Sequence, residues 1–459
     1  MGFRVKLIVS AVALGLAAAS VGGVQAQSIT QALTIAYDHA PELQAALLDA
    51  KASAENVALA NAGKRPTIGA SVGGTYNWTA GQVTNANPGG QFSGSQTYTA
   101  GLSYKQTIFD NYQTDAQIEQ ARAGAEAAEH QIRSTEQNVL LAVVQAYMSV
   151  LTGRQLVALR QENLSFFQAQ LQSAQDRLDV GEGTRIDVAQ AQARLAQGDA
   201  TYRAAVSNLE ISQATFQRYV GAPPQGLDAS HNYGRLIPNS LQSAIAEAEA
   251  GHPAILTAKA AIRAAQAGSD AAQATFGPNA SVTGQVGTAY NTVAGGQGIS
   301  GSLGFQITVP IYAGGAIGAG VRKANIEQIK SEVTAMSSYD QVREAVISAW
   351  AGIQSADAQI SAANAAVSAG GTVLDGVVQE RDLGTRTTLD VLNSQAELTT
   401  AREGLITASS NKVIATFSLL SAMGHLTATD LGLGVEVKSA VRYNQAVEDV
   451  WQDLRTVAE

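Results

Sequence analysis

The chain carries one sequence pattern twice, and this duplication constrains its fold more than any other feature. The segment at 177–195, RLDVGEGTRIDVAQAQARL, aligns without a gap on the segment at 380–398, ERDLGTRTTLDVLNSQAEL, 203 positions later. Upstream of both segments, apolar residues recur every seven positions in the same register: Val143, Val150, Val157, Leu164 and Leu171 in the first half, and Val346, Ile353, Ile360, Val367 and Leu374 in the second. A seven-residue apolar repeat is typical of coiled coils. The sequence therefore predicts a tandem duplication built of long, coiled-coil helices.

The prolines refine the boundaries of the two halves. Pro41 and Pro66 correspond to Pro253 and Pro278 at a separation of 212, so the first half holds nine extra residues between Pro66 and Gly101. We expect a first repeat at 27–222, a linker at 223–239, a second repeat at 240–424 and a C-terminal segment at 425–459. The long helices are predicted at 111–179 and 185–221 and again at 315–381 and 387–424. Each pair is preceded by a shorter helix, at about 30–63 and 241–276.

The first 26 residues read as a secretory signal peptide. Arg4 and Lys6 precede an apolar stretch, and a small-residue cleavage pattern ends at Ala26; a membrane anchor is the alternative. The chain has no cysteine, which excludes disulfides, thiolate chemistry and a lipid-modified N-terminal cysteine. No later run of about 20 apolar residues predicts a transmembrane helix. A net charge of −9 argues against a nucleic-acid partner.

Two segments change from the seven-residue period to strict alternation. In 67–79 and 299–310 apolar side chains alternate with Thr, Ser and Gly, and 97–108 and 280–292 show weaker versions. Each half is thus predicted to hold one β-hairpin, at about 67–108 and about 280–310. Strands of this length and alternation are typical of outer-membrane barrels; a soluble, half-buried hairpin is the alternative.

Four strands cannot close a barrel, and open strand edges are not tolerated in lipid. If the strands enter a membrane, several chains must share one barrel. Two copies would give eight strands and a filled interior, whereas three would give twelve and a passage. The residues on the polar side are small, which suits a lumen: Gly69, Ser71, Gly73, Thr75, Ser300, Ser302 and Gly304.

With this plan, the chain resembles the TolC-like outer-membrane efflux proteins. The resemblance rests on the duplicated plan, a hairpin in each half, the paired turns DVGEGTRIDV and DLGTRTTLDV, and the tail LGLGVEVKSAVRYNQAVEDVW. It implies a mainly α protein with a membrane β-barrel: a homotrimer with a 12-stranded barrel in the outer membrane of a Gram-negative bacterium and a 12-helix periplasmic tunnel. A mixed α/β equatorial belt would be built partly from the linker and the tail.

The resemblance also implies a function and partners. The trimer would be the passive exit duct of a tripartite efflux pump or a type I secretion system. It would dock through a periplasmic adaptor on an inner-membrane transporter of the RND, ABC or MFS type. A trimeric coiled-coil surface adhesin with a shared barrel anchor is the alternative, although adhesins usually place their barrel strands together at the C-terminus. The sequence leaves the cargo open.

The two charged turns are the candidate functional site. Thr184-x-x-Asp187 and Thr387-x-x-Asp390 fit the capping-box pattern, so both acids have a purely structural reading as helix caps. The resemblance places these turns at the periplasmic mouth, with Arg386 and Asp390 matching a lumenal arginine and acid. The second lumenal acid of the family falls on Asn393, a departure from the pattern. The turns themselves contain Gly181, Gly183, Thr184, Gly384 and Thr387.

From this match we expect a periplasmic gate. We hypothesise that a salt bridge from Arg381 or Arg386 to Asp187 latches the closed state, although one exposed pair contributes only about 0–1 kcal/mol. A threefold ring of Asp390 would favour cations, less strongly because of Asn393.

An enzyme is not expected, and neither is a cofactor or a resident metal. The five histidines lack any metal-binding spacing, and the glycines of AGGAIGAGVRK (313–323) fit neither a dinucleotide fingerprint nor a P-loop. We interpret that segment as a strand-to-helix turn.

Overall fold

The architecture is that of two helical hairpins and two β-hairpins in tandem. The computed structural model describes residues 27–81, 92–228, 230, 232–292, 296–448 and 450. The predicted signal peptide, residues 82–91 and the end of the tail are among the segments that lie outside the described residues. The first half contains α1 (Ile29–His39), α2 (Pro41–Ala62), β1 (Thr67–Ala80), β2 (Phe92–Phe109), α3 (Gln113–Asp179) and α4 (Arg185–Val220). After a short 3₁₀ turn at Tyr233–Leu236, the second half contains α5 (Leu241–Gly251), α6 (Pro253–Ala274), β3 (Asn279–Asn291), β4 (Gly296–Thr308), α7 (Ala316–Asp382) and α8 (Thr388–Met423), and α9 (Val441–Val447) follows in the tail.

The two shorter helices differ from the prediction, because each is split in two at a proline. Ala40 and His252, the residues before Pro41 and Pro253, adopt extended backbone with ψ of 112° and 129°. The proline ring disfavours helical ψ in the preceding residue, and proline itself suits the first position of a new helix. The single helices expected at 30–63 and 241–276 are therefore α1 with α2 and α5 with α6.

The long helices agree closely with their predicted bounds. Both α3 and α7 contain 67 residues, about 100 Å at 1.5 Å per residue. The strand-to-helix turns that precede them are also equivalent. Gly314 and Gly315 have φ of 62° and 84°, and their counterparts in the first half, Asn111 and Tyr112, have φ of 56° and 65°. Gly314 and Gly315 thus serve a left-handed turn, and the first half makes the same turn without glycine.

The core lies where the helices meet the tail. Its largest fully buried side chains include Tyr37, Tyr147, Phe216 and Phe417. The Tyr147 hydroxyl lies within hydrogen-bond distance of the carbonyl oxygens of Gln27 and Asp228, at 2.6 and 2.7 Å, which ties the segment before α1 and the linker to α3. A second cluster joins α5, α7 and α8 around Val346, the repeat counterpart of the buried Val143.

The tail is fixed to α3 by side chains rather than by a neighbouring strand. The fully buried Glu136 accepts from Ala428 N at 2.6 Å, Glu129 accepts from Ala440 N at 2.8 Å, and Arg133 donates to the Lys438 carbonyl at 2.9 Å. These bonds satisfy backbone groups that a strand partner would otherwise satisfy. The described part of the tail therefore contains no strand. The described part of the linker contains none either, which corrects the mixed α/β belt implied by the resemblance.

The four strands form one antiparallel sheet in the order β1-β2-β3-β4. Ala70 pairs with Leu102, which pairs with Val286, whereas Gly69 pairs with Ser103, which pairs with Gln285. Because register partners share a face, the sheet has one apolar and one small, polar face. The apolar face carries Ile68, Val72, Tyr76, Trp78, Tyr98, Leu102, Val286, Tyr290, Ile299, Leu303, Phe305 and Ile307, all exposed in the single chain.

One described helix, α3, contains an 18-residue window that is apolar enough to cross a membrane, with a mean hydropathy of 1.3. The sequence predicted no such helix. Of this window, 44% is buried inside the protein, and α3 contributes many residues to the main core. We therefore interpret α3 as a core helix.

Candidate functional site at the helix tips

The two charged turns form matching caps on α4 and α8. Asp187 N and Asp390 N each donate to the preceding threonine hydroxyl at 3.2 Å, while Thr184 and Thr387 donate backbone N–H groups to the acids at 3.1 and 3.0 Å. Both capping boxes are therefore complete, and the structural reading of these acids is confirmed.

Glycine lets the chain reverse at each tip. Gly181 and Gly384 have φ of 83° and 79°, the left-handed conformation that commonly ends a helix. The second turn replaces Gly183 with Arg386 at the equivalent position. A Cβ at Gly183 would lie 3.0 Å from Leu178 N, so the first turn is the tighter one.

In the second turn Arg386 is exposed and Asp390 is half-buried, and their charges interact. The Thr387 backbone N–H, and then its hydroxyl, hydrogen-bond to Asp390 and lower the pKa of that carboxyl. Arg386 Nε donates to Glu380 Oε2 at 2.8 Å, and this bond raises the pKa of the Arg386 guanidinium. Asp390 thus keeps its negative charge to lower pH than an ordinary aspartate.

The salt bridge expected to latch the tips does not form within the described chain. Asp187 and Arg386 line the same small cavity of about 180 Å³, but the Asp187 carboxylate is occupied by its cap and Arg386 binds Glu380. Arg381 is buried and donates to Gln170 at 2.5 Å and to Asp382 at 2.7 Å. Asp187, Arg381 and Arg386 are thus each bonded to another residue of the same chain instead of to one another.

Asn393 lies above the tip and connects the two helical hairpins. Its side-chain oxygen accepts from Arg194 Nη2 on α4 at 2.8 Å. The sequence reasoning missed Arg194, because nothing in a single helix shows which face of a neighbour it will meet. With Asp in place of Asn393, the same geometry would make an ion pair.

Further from the tip, α3 and α8 are joined by a buried polar network that the sequence reasoning also missed. Asn163 Oδ1 accepts from Gln395 Nε2 at 3.1 Å and from Thr399 Oγ1 at 3.2 Å. All three side chains are buried. Two ion pairs between the same helices lie nearby, Arg160–Glu403 at 2.5 Å and Glu162–Arg402 at 2.8 Å. Asn163 directly precedes Leu164, a position of the seven-residue apolar repeat. Its place next to that repeat is the signal that could have identified it, because a polar residue in a coiled-coil seam can specify the register of the helices.

A family model described as "Outer membrane efflux protein" matches residues 32–222 and 244–425. The outer membrane efflux protein BepC of Brucella suis is 35% identical over 98% of this chain and 97% of its own length. The alkaline protease secretion protein AprF of Pseudomonas aeruginosa is 25% identical over 87% of this chain and 85% of its own.

A solved structure gives the same architecture. The Campylobacter jejuni CmeC outer membrane channel has a TM-score of 0.76 over 92% of this chain and 89% of its own, at 16% identity, which shows the fold. Together these matches argue against the surface adhesin that the sequence left open. The protein resides in the outer membrane and is an efflux or secretion channel. The chain belongs to the outer membrane efflux protein family.

Proposed function

We propose that three copies of the chain form one outer-membrane duct, open to passive exit of cargo and gated at the helix tips. The observation that carries the proposal is the sheet, which has one apolar face, one polar face and two unpaired edges, β1 and β4. Lipid does not tolerate unpaired edges, so β4 of one copy must pair with β1 of the next. Three copies supply twelve strands, enough for an open lumen lined by the polar face.

The aromatic residues support a membrane position for this sheet. Tyr76, Trp78, Tyr98 and Tyr290 lie towards the hairpin turns, and Phe109, Tyr112 and Tyr312 lie at the opposite end. From Tyr98 to Phe109 the strand rises roughly 37 Å, which a tilt of about 40° projects onto roughly 28 Å. That span is close to the apolar band of about 25 Å in outer-membrane barrels, where aromatic residues gather at both interfaces.

The long helices would then extend about 100 Å from the membrane into the periplasm as a twelve-helix tunnel. At their tips the duct would meet a periplasmic adaptor and an inner-membrane RND, ABC or MFS transporter. We propose efflux as the main task, because BepC, an efflux protein by name, is similar along the whole chain. Type I secretion is the other task such a duct could serve, since AprF is named for protease secretion.

We further propose that Asp187, Arg381, Arg386, Asp390 and Asn393 form the gate. Within a chain both arginines already have partners, so a bond from either one to Asp187 would join neighbouring copies. Single-channel recording of an Arg381→Ala, Arg386→Ala double variant tests this. A raised conductance is expected, and unchanged conductance would reject the gate residues without rejecting the duct.

The duct itself is tested by native mass spectrometry of the detergent-purified protein and by deletion of its gene. We expect a mass of three mature chains and an increased intracellular level of efflux dyes in the deletion strain. A monomer would contradict the trimer. Normal dye levels together with loss of a secreted protein would assign the duct to secretion.

A further inference from the structure

A cavity of about 820 Å³ lies inside the chain where the ends of α6 and α8 meet between α3 and α7. α6 packs against α3 and α7 on the side of the sheet, and α8 packs against the same two helices on the side of the tips. The two ends approach closely, since a Cβ on Gly424 would lie 3.1 Å from His252 Cα. The volume of the cavity falls within the roughly 300–1,000 Å³ of small-molecule sites.

The lining of this cavity is polar but uncharged. The described residues that line it include no Asp, Glu, Lys or Arg, and hydrogen-bonding groups are supplied instead by the amides of Gln137, Asn138 and Asn411 and by the hydroxyls of Ser348, Ser355 and Ser418. His252 is neutral as well, because its Nδ1 accepts from Ala254 N at 3.1 Å and burial lowers its pKa. Between the polar groups, Gly352 and Ala356 leave the space open.

The duplicated sequence does not require this lining to be neutral. Three lining residues have charged counterparts 203 positions away: Gln137 corresponds to Asp340, Leu141 to Glu344 and Ser421 to Arg218. The uncharged lining is therefore a property of this one junction rather than of the repeat.

Gln137 presents an unused donor to the cavity. Its side chain is 3% exposed, and its Nε2 has no hydrogen-bond partner among the described residues. Buried amide groups are nearly always hydrogen-bonded, so an unbonded one in a cavity wall indicates where an acceptor atom would lie. A carbonyl or hydroxyl oxygen is the matching acceptor.

The cavity opens away from the tail and α5. Asn138 and Ser355, two exposed residues of the lining, each lie nine residues from a buried one: Tyr147 in the core that includes the tail, and Val346 in the cluster that includes α5. Nine residues make two and a half helical turns, so the members of each pair point in opposite directions. A tail packed inside the proposed duct would obstruct it, so the tail lies outside and the cavity opens to the lumen.

We propose that this cavity is a cargo-binding site in the wall of the duct, for uncharged molecules that carry amide and hydroxyl groups on a small apolar body. The proposal rests on the duct proposed above and adds a class of cargo to it. Gln137 would donate to an oxygen of the cargo, and Asn138 and Ser355 would bond to it at the mouth. A charged molecule would bind less well, because the lining offers no opposite charge to offset its loss of hydration. Binding is weak, since a passage must release what it binds.

Equilibrium dialysis of the detergent-purified protein against radiolabelled chloramphenicol, an uncharged molecule with one amide and two hydroxyls, tests the site. We expect saturable binding of up to one molecule per chain. Gln137→Leu keeps the bulk of the side chain but removes the donor, and it should weaken binding roughly three- to tenfold. Gln145→Leu is the matched control, because Gln145 is exposed on the same helix and does not line the cavity. Benzylpenicillin, which carries an amide but is anionic, should not compete.

A second variant keeps the site testable if Gln137→Leu does not assemble. Ser355→Trp fills the cavity from an exposed position and should also weaken binding. Binding that does not saturate, as when only water enters the cavity, overturns the site. Unchanged affinity in either variant or equal competition by benzylpenicillin also overturns it. If the protein is then still a trimer by native mass, and deletion of its gene still raises dye levels, the duct stands without the site. A monomer overturns both.

Discussion

The buried network of Asn163, Gln395 and Thr399 should determine how firmly α3 and α8 are joined. In an Asn163→Ala variant, Gln395 Nε2 loses its acceptor at 3.1 Å and retains only the Thr399 hydroxyl at 3.4 Å. Thr399 keeps its own bond to the Gln395 carbonyl at 2.8 Å, so one donor is effectively orphaned. A buried, unsatisfied donor costs about 1–3 kcal/mol. A cost of about 2 kcal/mol raises local opening roughly 30-fold.

Amide hydrogen exchange measures this opening directly. We expect exchange around 155–170 of α3 and 390–405 of α8 to accelerate by that factor, while exchange near Tyr37 and Tyr147 stays unchanged. Gln192→Ala is the matched control, because Gln192 is the repeat counterpart of Gln395 but is exposed. An Asn163→Leu, Gln395→Leu double variant should lie within about 1 kcal/mol of the native chain, since it removes both partners. Unchanged exchange in Asn163→Ala, or an equal increase in the control, would show that the Asn163 network does not hold α3 and α8 together.

Three further outcomes are expected. Because its pKa is lowered, Asp390 stays negatively charged as the pH falls, until the pH reaches that lowered pKa. Thr387→Val removes the hydroxyl, one of the two donors that stabilise the carboxylate, and so raises the pKa of Asp390. In reversal potentials measured across a pH series, the variant channel should therefore lose its cation selectivity at a higher pH than the native channel. Asn393→Asp should increase cation selectivity, because it adds a second acid near the mouth. It should also strengthen the contact with Arg194 by converting a hydrogen bond into an ion pair. An unchanged reversal potential would place Asn393 away from the lumen. Leu102→Arg should destabilise the barrel by about 2–4 kcal/mol and reduce the amount of channel assembled in the outer membrane. Ser103→Arg, at the next residue but on the polar face, should assemble in normal amounts. Equal amounts of the two variants would contradict the assigned faces of the sheet.

The long-range plan of the fold could be predicted because the sequence states it twice. Helices of 67 residues follow from an apolar repeat free of proline, and the strands follow from alternation that matched the sheet register. The breaks at Pro41 and Pro253 were missed because the proline effect acts on the preceding residue, where the local composition still favours helix. The absence of strand in the described tail could not be predicted, because the tail bonds instead to Glu129, Arg133 and Glu136, which are remote in sequence.

The candidate site was predicted in part for a similar reason. The capping boxes of Asp187 and Asp390 depend on residues three positions apart, so local sequence suffices. The partners of Arg381 and Arg386 do not: a long arginine side chain reaches several acceptors, and Gln170 and Glu380 are closer than Asp187. Arg194 and Asn163 were missed because helix-to-helix contacts are fixed by packing rather than by spacing along the chain.

Thiol block of single channels tests whether the polar face of the sheet lines a passage shared by three chains. A single cysteine is placed at Ser103 on the polar face or at Leu102 on the apolar face, in a chain that otherwise has none. A cationic thiol reagent is then added to open channels in a planar bilayer. With Ser103→Cys we expect the current to fall in three steps, one for each copy, and with Leu102→Cys we expect no block. Block at Leu102→Cys, or no block at either position, would show that the polar face does not line the passage, and a number of steps other than three would contradict the trimer.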